Sequence, residues 1–201
     1  MIAISSWGEK MIETLYPKFR EWTKTGSLYL ISDPHFDDVD RYFMRYKISE
    51  QEQIEILKKR CHKVDTLVCL GDVGNPEYFK ELKCYKVLVM GNHDETATKF
   101  ESYFDEIYTG PLWVAEKLVL SHEPLCLESG ITRKPIAFNI HGHDHSGEYY
   151  NDDYHLNICQ NVFGYEPLSL KEFIKDGHLK RIKSIHREII DNAARRKKEC
   201  L

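Results

Sequence analysis

The sequence predicts an α/β domain, and three observations carry that prediction. Short runs rich in Val, Leu and Ile, of strand rather than helix length, recur along the chain. Segments with apolar residues at helical spacing lie between several of them. The runs also break off into Asp, Asn and His, as strands do when their carboxyl ends open onto a site. The clearest case is Lys86-Val87-Leu88-Val89-Met90, which stops at Gly91 and delivers Asn92, His93 and Asp94.

Residues 1–26 read as an extension packed on the domain, and residues 27–201 as the domain itself. The extension offers a helix from Glu9 to Trp22, interrupted at Pro17, with Ile12, Leu15, Tyr16, Phe19 and Trp22 as its apolar side. Gly26 breaks the chain, and Leu28-Tyr29-Leu30-Ile31 forms a strand ending in Ser32-Asp33-Pro34-His35. The polar and aromatic stretch 36–48 reads as a loop or short helix beside a site. Ser49, with Glu52 three positions on, is a capping box that opens a helix. Its buried stripe is assigned to Ile54, Leu57, Cys61 and Val64.

Leu67-Val68-Cys69-Leu70 is the second strand, ending in Gly71-Asp72. Asn75 and Pro76 supply an N-cap and a first-turn proline for a short helix through Leu82. A further helix is expected over Thr96 to Phe104. Leu118-Val119-Leu120 runs into Ser121-His122, and Ile136 to Ile140 runs into His141-Gly142-His143-Asp144-His145. A strand around Tyr154 to Cys159 and a short helix from Ser169 follow. Ile182, Ile185, Ile189 and Ala193 then predict a last helix, whose basic end (Arg195 to Lys198) complements the helix dipole.

A chain of 201 residues suits one domain with a substantial core. Its 42% hydrophobic and 30% charged content is that of a soluble globular protein. The formal charge of -4 gives no global attraction to nucleic acid or anionic membranes. No stretch is apolar enough to span a bilayer, and Met1-Ile2-Ala3-Ile4 is too short for a signal-peptide core. The six cysteines show no CxxC spacing, and Cys69 and Cys159 lie inside strands as small hydrophobes. A reduced, cytoplasmic protein is expected.

Five apolar runs thus end, in order, in Asp-x-His, Gly-Asp, Gly-Asn-His-Asp, Ser-His and Gly-His-x-His. One histidine at a strand end is ordinarily a hydrogen-bonded structural residue. Five such ends in succession, all nitrogen and oxygen donors without a thiolate, point to a metal. The set suits Mn, Fe, Zn or Ni and disfavours a cysteine-based structural zinc. Asp33, His35, Asp72, Asn92, His122, His143 and His145 are seven candidate ligands, more than one ion needs. Two ions sharing one carboxylate would use them all.

These five motifs, in this order and spread from Asp33 to His145, resemble the calcineurin-like metallophosphoesterases. The likeness is to the small bacterial and phage forms without an accessory domain. It implies two packed mixed β-sheets flanked by helices, a four-layer α-β-β-α sandwich. It also implies two divalent transition-metal ions, Mn before Fe, Zn or Ni. Carried over by position, Asp33, His35, Asp72 and His145 would hold the first ion. Asp72, Asn92, His122 and His143 would hold the second, with Asp72 bridging. His93 would be no ligand but the proton donor to the leaving oxygen, so that Asp72 and His93 carry the catalysis. Attack would be direct and in line, by a hydroxide bridging the ions, without a covalent phosphoenzyme.

The pattern departs from the family at Asn75, where several branches place the aspartate that orients the catalytic histidine; Asp94 is the alternative. His141 reads either as a donor behind the ligands or as a structural residue. Arg41, Arg45, Arg133 and Lys134 stand in loops, where they are either solvated or close enough to meet a phosphate.

The expected function is therefore phosphoester hydrolysis. Short loops without an inserted cap favour a phosphodiesterase acting on small diesters or nucleotides, with a phosphomonoesterase as the alternative. A non-catalytic metal-binding scaffold is the third reading, and the presence of His93 counts against it. A nucleic-acid substrate is admitted but not favoured, because no basic groove is evident. No membrane partner is expected, and the oligomeric state is left open.

Overall fold

The structure is a computed structural model that describes residues 13–14, 16–130 and 132–182. Ten strands form two five-stranded sheets. In the first, β2 (Leu28–Ile31), β3 (Thr66–Cys69), β4 (Tyr85–Val89) and β5 (Glu106–Tyr108) run parallel in that order, and β10 (Leu168–Ser169) pairs antiparallel with β2. The second has the order β1 (Glu13–Thr14), β6 (Leu112–Ala115), β7 (Leu118–Leu120), β8 (Phe138–His141) and β9 (His155–Asn157). Only β6 and β7 are antiparallel there. Both sheets are mixed, as the resemblance implies.

The two-residue pleat explains why the central strands are apolar throughout rather than alternating. Leu28 and Leu30, Val68 and Leu70, and Val87 and Val89 face the second sheet, meeting Leu112, Val114, Leu118, Leu120, Phe138 and Ile140 in one core. The intervening Ile31, Leu67, Cys69 and Leu88 face outward onto Ile54 and Leu57 of helix α3 (Glu50–Arg60) and onto Phe79, Phe100 and Phe104. Truncating one of these fully buried leucines to alanine costs about 2–5 kcal/mol. Four shorter α-helices complete the α-helical set among the described residues: α1 (Tyr16–Trp22), α2 (Asp40–Phe43), α4 (Gln160–Phe163) and α5 (Leu170–Lys175).

The α3 capping box forms as its sequence predicts. The Glu52 N–H donates to Ser49 Oγ (3.3 Å), and the Ser49 N–H donates to Glu52 Oε2 (2.8 Å). Val64 is a correction: it is 59% exposed, because α3 ends at Arg60 and Val64 lies in the turn beyond. The helix expected over Thr96 to Phe104 is also absent. A single 3-10 turn, Ala97–Lys99, suffices there to bury Phe100 and Phe104. Strands β1, β5, β6 and β10 are not anticipated by the sequence, since runs of two to four residues give no clear period.

Pro17 sits in the first turn of α1, where a missing N–H costs nothing, rather than in a helix interior. Trp22 ends α1 inside the inter-sheet core, and its indole N–H donates to Glu106 Oε1 (3.2 Å). The same carboxylate accepts from Lys18, from Tyr85 (2.8 Å) and from Tyr108 (2.5 Å). Helix α1 does not extend back as expected: it begins at Tyr16, and Glu13–Thr14, inside the expected span, form strand β1 instead, while Glu9 lies outside the described residues. So do Ile185, Ile189, Ala193 and the basic Arg195 to Lys198 cluster. Among the described residues, five cysteines are free and no helix is long and apolar enough to cross a membrane.

Candidate metal centre

The loops that leave β2, β3, β4, β7 and β8 meet where the two sheets touch. Ser32, just past β2, and Cys159, just past β9, form a parallel bridge between the sheets. The Asp33 N–H donates to the Gly71 carbonyl, and the His35 N–H to the Asp72 carbonyl, each at 3.0 Å. Asp94 then ties the next loop in, accepting the N–H groups of Asp72 (2.9 Å), Val73 (3.0 Å) and Gly91 (2.8 Å). Burial raises the Asp94 carboxyl above its ordinary value, and these three donors offset only part of that.

Four of the candidate ligands have left-handed backbones: Asp33 (φ 55°), His35 (φ 45°), Asp72 (φ 52°) and His143 (φ 70°). Non-glycine residues in that region cost of order 1–3 kcal/mol each, and such strain clusters at functional sites. Two glycines let the loops close up. A Cβ on Gly142 would lie 1.9 Å from Ser32 Oγ and 2.0 Å from Asp33 Oδ2; one on Gly91 would lie 2.2 Å from Asp72 Oδ1.

All seven candidate ligands come together. Asp33 Oδ1 is 3.4 Å from His145 Nε2, and Asp72 Oδ2 is 3.5 Å from His35 Nε2. Asp72 Oδ2 is also 3.4 Å from His122 Nε2. Asn92 Oδ1 lies 2.7 Å from His122 Nε2 and 3.0 Å from His143 Nδ1. Asp72 therefore faces both groups. Asp33, His35, Asp72 and His122 are buried, whereas Asn92 and His143 are open to solvent.

The imidazoles test whether this cluster suits a cation. His35 Nδ1 faces Asp38 Oδ2 (3.0 Å), His122 Nδ1 faces the Leu70 carbonyl (2.8 Å), and His145 Nδ1 faces Asn161 Oδ1 (2.9 Å). The Asn161 amide is oriented unambiguously, because its Nδ2 donates to the Met44 and His145 carbonyls. Three acceptors thus fix three Nδ1–H tautomers, which leaves three Nε2 lone pairs turned inward. Each meets an oxygen of Asp33, Asp72 or Asn92, and His35 Nε2 is buried with no hydrogen-bond partner. In their neutral form these rings set lone pair against lone pair, a conflict that a proton or a metal ion between them relieves, and the donor set fits divalent metal.

Burial alone would raise the Asp33 carboxyl. With a proton on His145 Nε2 in place of a metal, its hydrogen bond to Asp33 and the charges of His122 and His145 outweigh it, holding Asp33 well below the usual carboxylate range. Burial lowers His145 in turn, but Asp33 more than compensates and the net shift is upward. Cys159 donates its thiol to Asp33 Oδ2 (3.1 Å), and burial beside that carboxylate raises the thiol, keeping it protonated.

His93 is half exposed, with its ring edge-on to His35 at 5.3 Å between centroids. Its backbone N–H donates to Asp72 Oδ1 (2.9 Å). Neither residue expected to orient its imidazole does so. Asn75 caps the 3-10 helix Pro76–Glu81 by accepting the Glu77 N–H and donates Nδ2 to Asp37, while Asp94 is engaged by the backbone. The carboxylate beside His93 Nδ1 is Asp40 Oδ2, at 3.7 Å.

Arg41 is no substrate contact. It is buried, with its guanidinium on the Pro34 and Ile48 carbonyls, Gln53 and Glu50. Arg45, Arg133 and Lys134 are exposed. His141 braces its own loop between the Gly142 and Tyr150 carbonyls, each at 2.7 Å, and burial lowers it. Sequence reasoning missed Asp38, Asp40 and Asn161. The acidic run 37–40 was visible beside His35, but nothing in it marks which carboxylate turns inward, and Asn161 follows His145 by 16 residues without a motif.

Among solved structures, this chain is similar to a protein of unknown function, AQ665, from Aquifex aeolicus. The two share 27% identity with a TM-score of 0.56, over 74% of this chain and 98% of that one. A more distant match is the Pseudomonas putida nuclease MPE, at 23% identity and a TM-score of 0.40, over 58% of this chain and 60% of that one. No curated protein matches. The profile of the calcineurin-like phosphoesterase superfamily domain matches residues 27–159, the stretch that carries every candidate ligand. This chain belongs to the calcineurin-like phosphoesterase superfamily.

Proposed function

We propose that this metal-dependent phosphoesterase domain hydrolyses phosphodiesters with two divalent ions. Asp33, His35, Asp72 and His145 would hold one ion, and Asp72, Asn92, His122 and His143 the other. The observation that carries the reading is the trio of imidazoles whose Nδ1–H groups are tied back while their Nε2 lone pairs converge on Asp33, Asp72 and Asn92. Manganese is the first ion to supply. When bound, the ions make water nucleophilic near neutral pH and offset charge on the phosphoryl oxygens.

The chain's own residues do the rest. Asp72 Oδ2 is turned to both groups, and its Oδ1 accepts the His93 N–H, so the bridge and the proton donor are held in one frame. His93, half exposed beside the buried ligands, faces solvent where an ester would lie and protonates the leaving oxygen. Two clefts that share no lining residue support a diester. One of about 270 Å³ borders Asn92 and His122, and one of about 530 Å³ borders Asp38, Asn75 and His93. A diester places an organic group on each side of phosphorus, and each cleft can take one.

The test is hydrolysis by metal-stripped protein reconstituted with Mn, on bis-nitrophenyl phosphate and nitrophenyl phosphate in parallel. Faster turnover of the diester supports the reading. Faster turnover of the monoester makes the protein a phosphatase. No turnover with two ions bound makes it a scaffold.

A further inference from the structure

Asp38 and Asp40 stand two residues apart beside the centre, and their carboxylates face different partners. Asp38 Oδ2 faces His35 Nδ1 at 3.0 Å, and its Oδ1 accepts the Asp40 N–H at 3.0 Å. Both Asp38 oxygens are therefore engaged. Asp40 opens α2, and its carboxylate lies 3.7 Å from His93 Nδ1. The residue at the family's orienting position, Asn75, is turned to Asp37 and to its own helix cap.

We propose that Asp40 is the positioning residue for His93. The inference rests on the proposed role of His93 as proton donor. With Nδ1 turned to Asp40, the opposite ring nitrogen, Nε2, is the one presented to the leaving oxygen. The contact is longer than a hydrogen bond, as such contacts often are before substrate draws the groups together. The Asp40 backbone is anchored by Asp38, which also holds a metal-ligating imidazole in register, so the carboxylate starts from a fixed point. The orienting group thus comes from the first residue of α2, in the segment after β2, rather than from the loop after β3.

Asp40→Ala and the isosteric Asp40→Asn test this, alone and combined with His93→Ala, on phenyl and nitrophenyl diesters. Metal content by elemental analysis should stay at the wild-type value in every variant. Asp40→Ala should lower kcat about 10- to 100-fold on the phenyl ester, whose leaving group needs a proton, and far less on the nitrophenyl ester. KM should hold. Asp40→Asn should retain more of the phenyl-ester rate than Asp40→Ala, because an amide still orients the ring. In the His93→Ala background, Asp40→Ala should cause no further loss.

Equal losses on both esters, or an added loss in the double variant, would overturn the proposal while leaving the role of His93 intact. If His93→Ala itself shows no leaving-group dependence, the role of His93 fails, and the proposal fails with it.

Discussion

Asn92 Oδ1 and His122 Nε2 lie 2.7 Å apart, and a neutral His122 that donates its Nδ1–H to the Leu70 carbonyl sets its Nε2 lone pair against that oxygen. Such a contact gains most when a cation enters it. Adding Mn to metal-stripped protein should therefore raise its Tm, and a chelator should reverse the rise. At one hundred times Kd the gain is about 2.7 kcal/mol. For a domain of this size each kcal/mol is worth about 2–4 °C. Differential scanning fluorimetry reads this directly, and an unmoved Tm would contradict the metal centre.

Asp72 is the carboxylate turned to both groups. Asp72→Ala should deplete both ions, whereas His145→Ala should deplete one. Elemental analysis of the purified variants separates these outcomes; two ions retained in Asp72→Ala would exclude a bridging role.

Gly142 passes so close to Ser32 and Asp33 that a methyl group has no space. Gly142→Ala should cost about 1–3 kcal/mol in urea unfolding, as overpacking does. It should also weaken metal binding, because Asp33 Oδ2 is one of the atoms, with Ser32 Oγ, that must give way. Normal metal affinity in a folded Gly142→Ala protein would show that the loops yield more easily than this packing implies.

Far from the centre, Glu106 gathers donors from Lys18, Trp22, Tyr85 and Tyr108. Burial raises its carboxyl, but those hydrogen bonds prevail and the net shift is downward from 4.5. Its contribution to stability is thus complete above the ordinary glutamate range and fades as pH falls through that range to the folded value. Wild-type stability should therefore fall more steeply below about pH 4.5 than that of Glu106→Gln. At neutral pH, Glu106→Ala should cost roughly 1–3 kcal/mol through the donors left unmatched.

The strand ends carried most of what the sequence could tell. Asp33, His35, Asp72, Asn92, His122, His143 and His145 each stand just past an apolar run, and a run that stops at polar residues is a local signal. What escaped was set by tertiary contact. Asp38, Asp40 and Asn161 act through side-chain direction, which depends on loops folded against other loops. Val64 misleads for the opposite reason: its spacing continues a helical stripe past Arg60, where the helix ends. Arg41 looks like a loop cation in sequence, and only the fold reveals that its guanidinium is fully engaged inside.

The seam between the sheets also bears on how the chain would behave if cut. β2 to β5 fill most of one sheet and β6 to β9 most of the other, and residues 109–111 connect the two blocks. The ends are exchanged: β1 lies in the second sheet and β10 in the first. Cleavage at 109–111 would yield two fragments, each lending a strand to its counterpart. Neither would own a full coordination set, since Asp33, His35, Asp72 and Asn92 fall in one and His122, His143 and His145 in the other. Reassembly of such halves would be interlocked and titratable with metal, which makes the centre a clasp for a split protein.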